Sequence, residues 1–225
     1  MTQFSRKVLA LVWKDMLSEA RTKDIFTSVF VFALLTVLIF SFALEPGSET
    51  TSLVAPGMLW VAFTFAGVLG FGRSFVLEKE HGCLDGLMLC PVEREVIYWG
   101  KAIGNLVFML MVEVVVLPIF YLLLNLPLDS LPQVVLIVLL TTIGFVSVGT
   151  LFSALAANTR ARDVMLPILF LPVVVPLVIA AVKSTGLILQ GSPWADLWSW
   201  LQIILAFDVI FLVISSLVFP FVLEG

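Results

Sequence analysis

Residues 102–125 read AIGNLVFMLMVEVVVLPIFYLLLN, an apolar run with a single charged residue, Glu113. A helix rises about 1.5 Å per residue, and roughly 20 apolar residues suffice to cross the ~30 Å hydrocarbon core of a bilayer. This run is therefore long enough to span. Outward from it lie five more runs of similar length, at 25–44, 53–72, 131–157, 164–182 and 203–223, and Asp208 is the one further charge inside them. The pattern predicts an all-α membrane protein of six transmembrane helices.

The composition agrees. Of 225 residues, 61% are hydrophobic and 12% charged, against about 45–50% apolar and 25% charged in a soluble domain. No stretch is polar enough to build a separate soluble domain, so residues 1–225 are expected to form one transmembrane domain. The net charge of −4 argues against a nucleic-acid partner. Cys83 and Cys90 share one polar loop at a spacing that fits no metal or redox motif; both are expected to stay reduced. The apolar run at 25–44 exceeds the ~7–15-residue core of a signal peptide, so the first span is expected to remain in the mature protein.

Lysine and arginine are retained on the cytoplasmic side of a membrane. The segment before the first span carries five (Arg6, Lys7, Lys14, Arg21, Lys23), the loop between spans 2 and 3 four (Arg73, Lys79, Arg94, Lys101) and the loop between spans 4 and 5 two (Arg160, Arg162), leaving only Lys183 on the other side. Both termini are expected to be cytoplasmic.

Within residues 1–24, Val8, Leu9, Val12, Trp13, Met16, Leu17 and Ala20 recur at helical spacing, with Lys7, Lys14, Ser18 and Arg21 on the other side. This predicts an amphipathic helix lying in the interface. Pro167, Pro172 and Pro176 predict kinks in span 5. Gly149, Ser153 and Ala157 in span 4, with Gly67 and Gly70 in span 2, suit close approach by another helix. Residues 183–202, holding Trp194, Trp198 and Trp200, suggest an outer interfacial or re-entrant segment, since indole rings favour the headgroup boundary.

Residues 73–101, RSFVLEKEHGCLDGLMLCPVEREVIYWGK, are the least membrane-like. Span 2 is expected to run on through Glu80, break at His81-Gly82, restart as a short helix around Leu84 to Leu89 and stop at Pro91. Leu84, Leu87 and Met88 would share one face of that helix, a compact knob suited to a partner's groove. A loop packed on its own helices is the plainer reading.

The pattern Glu78-x-Glu80-x-Gly82-x-Leu84-Asp85-x-Leu87-x-Leu89-x-Pro91, ahead of Gly100-Lys101, resembles the coupling helix of the ABC-2 superfamily of export permeases. The resemblance covers nearly the whole chain, from the amphipathic N-terminal helix to the outer segment before span 6. Within that superfamily, Arg73-Ser74-Phe75 and the Val-x-Lys-Asp opening at Val12 to Asp15 are most similar to the haem exporter protein B family of system I cytochrome c maturation. The resemblance implies an inner-membrane permease, not an enzyme, whose residues Glu78, Glu80, Gly82, Leu84, Asp85, Leu87 and Met88 couple it to a cytoplasmic ABC ATPase present in two copies. It implies further haem-handling membrane subunits, a periplasmic haem chaperone, a second copy of this chain as a possible partner, and haem as the substrate of the complex. The chain has no Walker A pattern, G-x-x-x-x-G-K-[ST], so ATP is expected on the partner and no cofactor on this chain alone.

Glu113 and Asp208 need a separate account, because an ionisable group in hydrocarbon costs roughly 2.5–3.5 kcal/mol on insertion scales. They are candidates for a structural tie or for a transport step, with Glu113 near mid-depth and Asp208 nearer the outer face. Three other readings compete: an ABC-2 permease for a lipid, polysaccharide or drug; a proton-coupled secondary transporter using Glu113 and Asp208 as its relay; and a non-transporting assembly subunit. Against the relay, the six spans contain no inverted repeat. The sole histidine is His81, so paired axial histidines for haem iron cannot come from one copy of this chain.

Overall fold

A helix that is apolar all round has no side fit for water, and six of the long helices here are of that kind. The computed structural model describes residues 3–22, 24–44, 48–80, 93–157, 159 and 162–222. In it α1 (Gln3–Thr22) precedes α2 (Asp24–Ala43), α3 (Glu49–Glu80), α4 (Arg94–Leu124), α5 (Leu131–Ala157), α6 (Arg162–Leu189) and α7 (Trp194–Val222), with a short 3-10 turn at Leu128–Ser130 ahead of α5. No strand occurs among the described residues. Helices α2 to α7 are each long and apolar enough to cross a membrane, and the chain is a multi-pass, all-α membrane protein.

Helix α5 is the axis of the bundle. It packs against α3, α4, α6 and α7, and 72% of its span is buried against 17% for α2. The peripheral α2 turns Leu35, Ile39 and Phe42 outward, as a lipid-facing helix should. Around α5 the aromatic rings interlock. Phe145 of α5 lies over Gly67 of α3 and Phe71 of α3 lies over Gly149 of α5, each too close to leave room for a Cβ on the glycine. Phe170 of α6 completes the cluster, 4.8 Å from the Phe145 ring and 5.9 Å from Phe71, both edge-on. The small residues thus admit rings where close helix approach was expected.

Two turns on the far side of the bundle use the same device. Asn125 adopts the left-handed conformation (φ 51, ψ 48) while the Leu126 N–H donates to the Tyr121 carbonyl at 3.1 Å. Gly191 (φ 72) ends α6 likewise, with the Ser192 N–H donating to the Leu187 carbonyl at 2.9 Å. Both are Schellman closures, and asparagine and glycine are the residues that tolerate the left-handed position.

Several boundaries differ from the sequence expectation. Helix α4 begins at Arg94 rather than at 102, so Lys101 lies within it. Helix α6 passes all three prolines and Lys183 unbroken to Leu189, and α7 begins at Trp194. Residues 183–202 are therefore the end of one helix, a tight turn and the start of the next. The reason lies in packing: Leu197, Leu201 and Ile204 are buried at helical spacing and continue into Phe207 and Asp208, while Trp194 and Trp198 face outward four residues apart.

Helix α1 docks on α4. A Cβ on Gly100 would stand 2.9 Å from Leu11, and one on Gly104 would stand 3.6 Å from Asp15 Oδ2, so the Gly100-x-x-x-Gly104 surface seats α1 closely. Lys101 between them is 5% exposed and its Nζ donates to Asp15 Oδ2 at 2.9 Å. Val8 is buried, whereas Leu9, Trp13 and Leu17 stay exposed. The expected apolar stripe thus divides into a face toward α4 and an adjacent outward apolar face, which suits a helix at a membrane surface.

Candidate functional site

The residues expected to couple to an ATPase fall where the structure gives little description. Glu78 and Glu80 close the last turn of α3, their side chains not among those described, and Gly82, Leu84, Asp85, Leu87 and Met88 lie outside the described residues. Glu78 and Glu80 are carried there by the length of α3. Its 32 residues extend about 48 Å at 1.5 Å each, well beyond the ~30 Å hydrocarbon core.

The second group of candidates lies inside the bundle. Helices α4 and α5 run antiparallel and are tied by buried polar pairs in register. Asn105 Nδ2 donates to Thr150 Oγ1 at 2.9 Å. Eight residues on along α4, and eight back along α5, Glu113 Oε1 meets the Thr142 hydroxyl in a buried hydrogen bond. Thr142 Oγ1 also stands 2.8 Å from the Val138 carbonyl oxygen. At the far end the Tyr121 and Ser130 hydroxyls are 3.0 Å apart. Out of that register, Tyr98 near the start of α4 reaches back along α5, its hydroxyl 3.2 Å from that of Ser147. Across α3 and α6, Trp60 Nε1 donates to Thr185 Oγ1 at 3.0 Å.

Glu113 is 4% exposed, and its second oxygen, Oε2, has no hydrogen-bond partner among the described residues. Asp208, 6% exposed, reaches α5 from the opposite side. Its Oδ1 presses on Gly144, where a Cβ would collide with it and would also stand 3.0 Å from Phe207 Cδ1 and 3.3 Å from Leu177 Cδ2. Successive residues turn about 100° around a helix, so Thr142 and Gly144 point to opposite sides of α5 while differing in depth by about 3 Å. The two acids therefore flank one helix at one level. The expectation that Asp208 sits nearer the outer face is corrected. It came from starting the last helix at 203, nine residues after its actual start at Trp194.

Sequence reasoning missed the hydroxyl partners Thr142 and Thr150, the Asp15–Lys101 pair, and Gly144 as the seat of a carboxylate. A threonine inside an apolar run carries no periodic signal. The signal that existed was the register: once 126–130 is read as a tight antiparallel connection, 105 falls opposite 150 and 113 opposite 142.

Compared with known proteins, residues 6–224 match the family described as CcmB protein. The chain is 28% identical over 171 residues to Heme exporter protein B of Pseudomonas aeruginosa, covering 76% of this chain and 77% of the relative. It is 30% identical over 170 residues to Heme exporter protein B of Rhodobacter capsulatus, covering 76% and 78%. The protein of that name from Paracoccus denitrificans is 29% identical over 187 residues, covering 83% and 84%.

Proposed function

The chain belongs to the CcmB protein family, and from that premise we propose that it is the membrane permease subunit of an ABC-type complex serving haem export in cytochrome c biogenesis. The observation that carries this reading is the extent of the match, residues 6–224, together with relatives named Heme exporter protein B that align over most of their own length. The chain does mechanical work and makes no bonds. ATP is hydrolysed by a separate cytoplasmic subunit, present in two copies, which grips residues 81–92 through Leu84, Leu87 and Met88, with Glu78, Glu80, Gly82 and Asp85 beside them. Its closure displaces α3, and α3 passes the displacement to the helices packed on α5.

In this reading the protein lies in the inner membrane with both termini cytoplasmic, as the bias of lysine and arginine indicates. Further haem-handling subunits, a periplasmic haem chaperone and a second copy of this chain complete the assembly. Haem is the substrate of the complex, seated on another subunit. His81 is the only histidine of the chain, and a bis-histidine site needs two. The placement of the acids counts against a proton relay, because Glu113 and Asp208 stand on opposite sides of α5 with the helix between them.

The test is to replace Leu84, Leu87 and Met88 together by Ser in the assembled complex. Membrane insertion should be unchanged while the ATPase dissociates or loses its response to the permease, since a small central cluster carries most of a docking energy. A triple variant that copurifies with a fully active ATPase would refute the docking assignment.

A further inference from the structure

The hydroxyl of Thr142 faces two oxygens. Its Oγ1 stands 2.8 Å from the Val138 carbonyl oxygen, one turn back along α5, and is hydrogen-bonded to Glu113 Oε1 of α4. A threonine hydroxyl owns one hydrogen, and a backbone carbonyl has none to give. The bond to Val138, the usual back-bond of a threonine inside a helix, takes the Thr142 hydrogen, so the bond to Glu113 needs a hydrogen from the acid. The other oxygen of the acid agrees. Glu113 Oε2 is fully buried with no hydrogen-bond partner among the described residues. The narrow space beside Glu113 is walled by Trp60, Phe63 and Thr64 of α3, Met109 of α4, and Thr142 and Phe145 of α5. None of these six carries a charge, the Thr64 hydroxyl stops short of Oε2, and Asp208 lies across α5 against Gly144. An ionised carboxylate with one oxygen closed off among apolar groups is far more costly to bury than a neutral acid. A carboxyl group that keeps its proton also changes from pure acceptor to donor. We propose that Glu113 is a proton-binding site: it holds one proton on Oε1 and donates it to Thr142 Oγ1, which donates in turn to the Val138 carbonyl. Oε2 is then the carbonyl oxygen of a neutral acid, with no charge to solvate. The tie between α4 and α5 is a directed chain of two hydrogen bonds that brings no net charge into the hydrocarbon. This holds whatever the complex transports, so it stands apart from the haem-export reading above.

The proton is read by infrared spectroscopy of the full chain in an ester-free detergent, because a protonated carboxyl group has a carbonyl band above the amide bands that a carboxylate lacks. At about pH 8 solvated carboxyl groups are ionised, and the unsubstituted chain should still show such a band. Glutamate labelled with heavy carbon at the side-chain carboxyl should shift it, which separates it from any aspartate. Glu113→Gln should abolish the shifted band. Thr142→Val should move it to higher frequency, since the acid hydrogen then loses its acceptor. Absence of a glutamate-sensitive band in the unsubstituted chain, its survival in Glu113→Gln, or a band that Thr142→Val leaves in place would overturn the proposal. The labelled-glutamate measurement needs no variant, so a variant that fails to fold does not protect the idea.

Discussion

Placing a single methyl group on Gly144 should loosen the whole bundle, because α5 has no spare room at that point. A Cβ there collides with Asp208 Oδ1 and stands 3.0 Å from the ring of Phe207 and 3.3 Å from Leu177. Adding a methyl to a filled core costs about 1–3 kcal/mol. Two effects moderate that figure. Alanine regains about 0.8–1.0 kcal/mol of helix propensity over glycine, and the Asp208 carboxyl is the end of a side chain that can swing aside, whereas the Phe207 ring is stiff. The net loss in Gly144→Ala is expected at about 1 kcal/mol, the middle of the roughly 0–2 kcal/mol these terms leave, or roughly 2–4 °C in midpoint for a chain of this size. Gly144→Val should lose more. Thermal unfolding of the purified chain, followed by tryptophan fluorescence, reads the effect directly. The cause is isolated by a double-mutant cycle: in an Asp208→Ala background, Gly144→Ala should cost about 1 kcal/mol less, because contacting residues couple. A Gly144→Ala chain as stable as the parent, or a loss that Asp208→Ala does not soften, would refute the packing assigned to Asp208.

Glu113→Gln keeps a hydrogen-bonding group for Thr142, so the complex should retain near-normal function, while Glu113→Leu should lose it with stability changed by less than about 1 kcal/mol, the scale of a single interhelical hydrogen bond; equal functional loss in both variants would point instead to a charge-dependent step. Asp15→Lys sets a third cation beside Lys14 and Lys101 and should lower stability by about 2 kcal/mol or more, and adding Lys101→Asp should recover most of it; absence of recovery in the unfolding midpoint would break the assigned pairing. Reporters fused after Asp15, Asp85 and Arg162 should register in the cytoplasm, and those after Glu49, Asp129 and Gln190 on the outer side. A reporter after Asp85 found outside would overturn the orientation.

Six membrane-crossing helices were legible because apolar composition over about 20 residues is dictated by the bilayer alone. Helix ends were less so. The first two turns of α4 looked like loop because Arg94, Glu95 and Lys101 interrupt them, yet Lys101 is buried against Asp15, 86 residues away, a partner that no local window contains. The start of α7 was hidden in the same way: Trp, Gln and Asp mask the helical spacing of Leu197, Leu201 and Ile204. At the candidate site both acids were legible as anomalies in hydrocarbon. Their partners were not, because a threonine hydroxyl or a missing Cβ acquires meaning only when a second helix is laid beside it.

The position of Thr64 along α3 has a mechanical consequence. It lies 15 residues from Glu49 and 16 from Glu80, about 22 and 24 Å at 1.5 Å per residue, so it sits at the midpoint of the helix. If α3 rocks about that point, it is a lever of nearly equal arms. A tilt of about 5° carries each end about 2 Å, in opposite directions. Such an arrangement amplifies nothing. It inverts: a push on the Glu80 end in one lateral direction arrives at the Glu49 end as an equal push in the other.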